Sequence, residues 1–372
     1  MSESLKILLC MGSAAGPIPN SSSWRDNIIN SLRSLGYQVH LIQFDKYLEN
    51  KQSFNDERKK QMLSSHILDE YEQHKPFDYF LGFLTDTLVT PDLYMELNNR
   101  VFTINWTCNA HQFELLHKIN APHINLNTYI SHDHKELYDS VDANSYWMPM
   151  AANQSLYKSN LKKDIDISFV GSAYGRRPYY IWRLLQSDID LRLFGPGWKF
   201  NNNISNFLRL YIAPIVYLYS QNEMRLNNLD KTQRAIITKK INELCDVGGI
   251  PNDEEYFNIL GRSAISLNFP ESRTNNDFMN PKVVLGCNFR DFEIPHSGSM
   301  LLTQNSDELE HFFEIDKEVV AFNNEYEMID KARYYTSNLK QARKIADAGM
   351  IRAKNQHTWE NRFTTLFEYL KN

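Results

Sequence analysis

Short apolar blocks alternate along this chain with longer segments whose apolar residues recur at helical spacing. Residues 6–11, KILLCM, form the first block, and Gly12-Ser13-Ala14-Ala15-Gly16 a turn after it. Trp24, Ile28, Ile29, Leu32 and Leu35 fall on one face of a helix over 22–35, which Gly36 closes. A second strand is expected at 38–44 and a solvated helix at 51–74. Further strands are expected at 77–84, 100–106, 123–127 and 145–151, with helical segments near 91–98 and 132–140. Strands alternating with helices predict a parallel sheet covered on both faces.

The alternation resumes after a polar linker at 153–164. Strands are expected at 166–172, 191–195, 264–270 and 319–322, and helices at 176–186, 253–263, from about 306, and at 325–337. Residues 203–244 break the alternation and read as an inserted helical pair. Helices from about 338 run to the end, broken at His357-Thr358-Trp359. The expected division is an N-terminal Rossmann-like domain over 1–152 and a second α/β domain over 165–345 carrying the insertion. C-terminal helices over 346–372 are expected to pack back toward the first domain.

The stretch 288–303, NFRDFEIPHSGSMLLT, joins a charged turn, a small-residue turn at Ser297-Gly298-Ser299 and a short apolar strand. In an open α/β sheet, ligands bind at the carboxyl ends of the strands. Glu293 before a glycine turn is a carboxylate that accepts only, and a ribose diol suits it. A helix cap or a salt bridge explains the same residue equally well.

Charge narrows the partners. The net charge is −5 and the sequence pI about 6.1, so no basic field recruits nucleic acid. The cysteines, Cys10, Cys108, Cys245 and Cys287, form no C-x-x-C pair, and a reducing, cytoplasmic compartment is expected. No signal peptide and no membrane span is expected. The apolar run 204–220 has a proline at 214 and reads as packing or a homo-oligomer contact, or as a peripheral contact with the inner face of a membrane. His132-Asp133-His134 offers two metal ligands without a third and reads as a helix start. Asp164-Ile165-Asp166 and Asp188-Ile189-Asp190 read as loop-to-strand entries.

The ordered series DISFVGSAYGRR, LRLFGPGW, YFNILGRSAISLNF, NFRDFEIPHSGSMLLT and RKIADAGMIRAKNQHTWENRF resembles the CgeB-type spore-maturation-protein family. That family is similar to retaining GT-B glycosyltransferases, and the resemblance covers most of residues 145–370. It implies two Rossmann-like domains facing a cleft, with a nucleotide-sugar donor on the C-terminal one and a glycan or lipid-linked acceptor on the other. It implies ribose binding by Glu293, five residues before Gly298, with Ser297 and Gly298 as the adjacent turn. It places the diphosphate at Gly171, Ser172, Arg176 and Arg177; Tyr174, Asn268 and Arg290 are further candidates. The family's additional acid, eight positions before Glu293, is Leu285 here. Arginine forks and helix N-terminal amides can neutralise a departing diphosphate, so neither metal nor cofactor is expected. Asp86 and His111, near the ends of predicted N-terminal strands, are candidate acid–base or acceptor groups. The expected reaction is transfer of a sugar to a hydroxyl in surface-glycan assembly. The alternative is a non-catalytic protein of the same architecture.

Overall fold

The computed structural model describes residues 4–13, 21–108, 112–199, 231–273 and 283–371. The chain divides into two compact units, one built from the described residues up to 153 with those from 357 onward, the other from 154–356.

The first unit is built on a six-stranded parallel sheet in the order β2-β1-β3-β4-β5-β6. Its strands are β1 (Lys6–Met11), β2 (Gln38–Gln43), β3 (Tyr79–Gly82), β4 (Phe102–Thr107), β5 (Leu126–Tyr129) and β6 (Ser145–Trp147). Parallel strands are buried on both faces, which is why β1 reads as an unbroken apolar run. The strand expected at 145–151 stops at Trp147, two residues before Pro149, which has no N–H for a ladder. Helix Asp56–His74 lays Leu63, Ile67 and Tyr71 against the core, and Asn55 caps it by accepting from Arg58 N at 2.8 Å. A short helix, Phe44–Glu49, was not anticipated. Helix Trp359–Tyr369 ends the chain but packs in this unit, where Trp359 meets the rings of Trp24 and Trp106.

The second unit has a five-stranded parallel sheet in the order β13-β12-β9-β7-β8. Its strands are β7 (Ile165–Val170), β8 (Leu191–Phe194), β9 (Ser263–Asn268), β12 (Met300–Gln304) and β13 (Val320–Phe322). A separate antiparallel pair, β10 (Glu271–Arg273) with β11 (Val283–Leu285), follows β9 and was not anticipated. Phe169, Leu193, Leu267, Leu302 and Phe322 lie in the core. Helix Lys231–Leu244 occupies the end of the expected insertion, and its Ile237 and Ile241 join that core. The remainder of the insertion, and with it the apolar run 204–220, lies outside the described residues. The helix expected from about 306 is only a 3₁₀ turn, Leu309–His311. Phe312 and Phe313 are both buried just after it.

Candidate active site

The candidate site is assembled in the second unit, at the carboxyl ends of β7, β9 and β12. The turn leaving β7 lies against the turn leaving β8. Gly171 N donates to Phe194 O at 3.0 Å, and Ala173 N to Pro196 O at 2.9 Å. This approach requires Gly195: its φ is +122°, and a Cβ there would come within 2.4 Å of Gly171 O. Ser172 and Tyr174 continue the turn, and helix Arg177–Leu185 starts from it with Pro178 in its first turn.

The two arginines of the turn have different environments. Arg177 is 3% exposed; its Nη2 donates to Phe269 O at 2.8 Å and its Nη1 to Ser172 O at 3.4 Å. Its guanidinium lies 4.0 Å from the Tyr174 ring centroid, and its Nε has no hydrogen-bond partner among the described residues. Burial pulls its pKa down to about 10, and the charge of Arg290 acts in the same direction. A buried cation with an unpartnered donor gains from an arriving anion. Arg176 forms a two-pronged pair with Glu271, Nε and Nη2 lying 2.8 and 2.7 Å from the same Oε1. Burial works against the Arg176 charge, but Glu271 outweighs it and raises the pKa.

Glu271 was missed by the sequence reading. It is 6% exposed, and its Oε1 also accepts from Gln304 Nε2 at 3.1 Å. Oε2 accepts from no described residue, and a Cβ at Gly175 would lie only 3.6 Å from it. In the antiparallel pair, Glu271 is in register with Leu285. The acid therefore stands directly across the ladder from the residue where an acid was expected and is missing. Residues so opposed have Cβ atoms about 5 Å apart on one face. The visible signal was only an acid just after a strand and Pro270.

Helix Phe289–His296 presents its N-terminus to the same region. Asn268, at the end of β9, donates to Asp291 Oδ1 at 2.7 Å and to Asn288 Oδ1 at 3.1 Å. Asn288 and Asp291 close a capping box. Burial raises the Asp291 pKa to about 6. Arg290 has an Nε with no partner among the described residues and lies near enough to Arg177 for their charges to oppose. Glu293 is 3% exposed, and both oxygens are occupied: Tyr157 OH donates to Oε1 and Tyr256 OH to Oε2, each at 2.7 Å. Burial raises its pKa, opposed by those two hydroxyls and by Arg290.

The structure thus brings Gly171, Ser172, Tyr174, Arg176, Arg177, Asn268 and Arg290 around the carboxyl ends of the strands. Ser297 and Gly298 lie instead at the far end of their helix, beside the start of β12. Ser297 OH donates to Ile294 O at 2.6 Å, and Gly298 turns the chain at φ +66° with Ser159 packed against it. In the first unit, Asp86 accepts from the backbone amides of Ile119 and Asn120 at 2.8 and 3.0 Å, and burial raises its pKa. His111 lies outside the described residues, and His132–His134 is a 3₁₀ turn with His134 buried.

No curated protein matches the chain by sequence. Solved structures match its fold from end to end. Sucrose-phosphate synthase from Thermosynechococcus elongatus superposes with a TM-score of 0.59 at 10% identity, covering 99% of this chain and 98% of that one. Anabaena HepE in complex with UDP-glucose gives 0.59 at 10% identity, with 99% of each chain covered. A glycosyltransferase from Rickettsia africae gives 0.58 at 13%, covering 99% of this chain and 98% of that one. The two parallel-sheet units therefore carry the GT-B architecture. Residues 176–368, more than half of the sequence, match one family as a whole. That match runs from the arginines of the turn through Glu271 and Glu293 to the last helix, and by it the chain belongs to the glycosyl transferase-like family.

Proposed function

We propose that this protein transfers a sugar from a nucleotide-diphosphate donor to a hydroxyl acceptor, a glycan or lipid-linked glycan in surface-polymer assembly. The observation that carries the reading is the group Arg177, Arg290 and Glu271 at the carboxyl ends of parallel strands: among the described residues, two arginines have unpartnered Nε atoms beside a carboxylate with one free oxygen. Arginine forks suit diphosphate oxygens, which gain charge as the sugar leaves. A carboxylate oxygen that only accepts suits sugar hydroxyls. In this reading Glu271 supplies the acid that Leu285 does not. Transfer proceeds without a metal and with retention, in a CgeB-type enzyme that works in the cytoplasm. Among the described residues no helix is long and apolar enough to cross a membrane.

A second reading, nucleotide or glycan binding without transfer, is favoured by Glu293. Both of its oxygens are held by tyrosines, which makes it a weaker partner for a ribose than the sequence suggested. Calorimetric titration with nucleoside diphosphates and their sugars, each with EDTA, tests both. HepE is described with UDP-glucose, so uridine donors come first. We expect one base family to bind, labelled sugar to leave the donor when acceptor is supplied, and Arg290→Ala to weaken binding by about 1.5–3 kcal/mol. Binding without turnover over a broad acceptor set selects the second reading. No nucleotide binding at all removes the first.

A further inference from the structure

A second cluster lies in the first unit and plays no part in the donor site. His40 sits on the edge strand β2, in register with Leu8 of β1. Glu70 and His74 are one turn apart on helix Asp56–His74 and so share a face. Nε2 of His40 is 2.7 Å from Glu70 Oε2, and Nδ1 of His74 is 3.5 Å from the same oxygen. The imidazoles stack with centroids 4.0 Å apart. Among the described residues these three form a group whose donor atoms all lie within 4.8 Å of one another. Their side chains are 28%, 25% and 42% exposed, so an ion from solvent can reach them.

We propose that His40, Glu70 and His74 bind a divalent transition-metal ion of the zinc class. Two imidazoles and one carboxylate are the donor set of open zinc sites. Metal–ligand bonds near 2.1 Å in a tetrahedron place donors roughly 3.4 Å apart. The 3.5 Å separation already meets that spacing. The 2.7 Å contact is a hydrogen bond and opens to that spacing when the ion replaces its proton. His74 Nδ1 also gives up its 3.0 Å contact with Glu70 O. Lys6 works against the cation: its ammonium sits at the carbonyl of His74 and over the Phe77 ring. His66, one turn before Glu70 on the same helix, adds no negative charge. Glu70 therefore supplies the neutralising charge. The bound ion ties the last turn of the helix to the edge of the sheet, and a fourth coordination position stays open. No spacing in the sequence announces this site, because its two halves are 30 residues apart.

Zinc is spectroscopically silent, so cobalt(II) is the probe. The full chain, stripped with EDTA, is titrated with CoCl₂ and then ZnCl₂, and its melting temperature is followed under zinc. We expect saturable visible ligand-field bands, their loss when zinc displaces cobalt, and a higher melting temperature with zinc. His40→Ala and His74→Gln each lower cobalt affinity about tenfold or more and abolish the thermal shift. His74→Gln alters an exposed helix end, so its fold is expected to survive. Absent ligand-field bands, or bands and thermal shifts unchanged in both variants, overturn the site.

Discussion

Asp86 of the first unit and Glu271 of the second are both buried acids just beyond strand ends, yet their surroundings differ in kind. Asp86 spends both oxygens on the backbone amides of Ile119 and Asn120, so it is a fastener for that loop. Among the described residues, Glu271 is held through Oε1 by Arg176 and Gln304, and Oε2 accepts from none. Glu293 resembles Asp86, since two tyrosine hydroxyls fill it. Burial at a strand end therefore does not mark a ligand-binding acid. The proposed reading turns instead on an oxygen held in place by its twin and left without a partner among the described residues.

The largest expected effect tests the fastener. Asp86→Ala strands the buried amide of Asn120 and the part-buried amide of Ile119 and is expected to cost about 3–4 kcal/mol of stability in denaturant unfolding. Nucleotide affinity of the folded fraction stays unchanged; a small loss of stability would erase the contrast with Glu271.

Next in size is Asp291, a fourth buried acid, whose burial raises its pKa from 3.8 to about 6. The raised value means that the folded state prefers the protonated acid. Its stabilising contribution is present below about pH 4 and is lost as pH rises through about 6, a swing of about 2–3 kcal/mol. Unfolding free energies measured across that window should fall less steeply for Asp291→Asn than for the wild type. Equal slopes would show that its partners at Asn268, Asn288 and Thr303 offset burial completely.

The smallest effect is the most telling for function. Glu271→Gln preserves shape and is expected to leave nucleoside diphosphate affinity within a few-fold. The extra affinity for the nucleotide sugar should drop about tenfold, roughly 1.4 kcal/mol. Equal losses for both ligands would assign Glu271 to holding Arg176 rather than to the sugar.

Much of the fold was legible because its signals are local. β1, β9 and β12 appear as apolar blocks, and the helix break at 357–359 lies between helices Leu339–Gln356 and Trp359–Tyr369. The arginine turn was legible as well, since a glycine turn leading into a helix is contiguous in the chain. Glu271 was not, because nothing beside it announces Arg176, 95 residues away, or the register with Leu285. The tyrosines on Glu293 lie 136 and 37 residues from it and left no local trace.

By itself, then, the sequence determined two α/β units, most of their strands and helices though not every boundary, and a family resemblance in the second half. Periodicity and turn chemistry act between near neighbours, so a linear reading recovers them. Tertiary structure alone decided the order of strands in each sheet, which acids are saturated, and the meeting of His40 with Glu70 and His74. Those outcomes depend on contacts between distant residues, where packing selects the partner and sequence spacing carries no record of the choice.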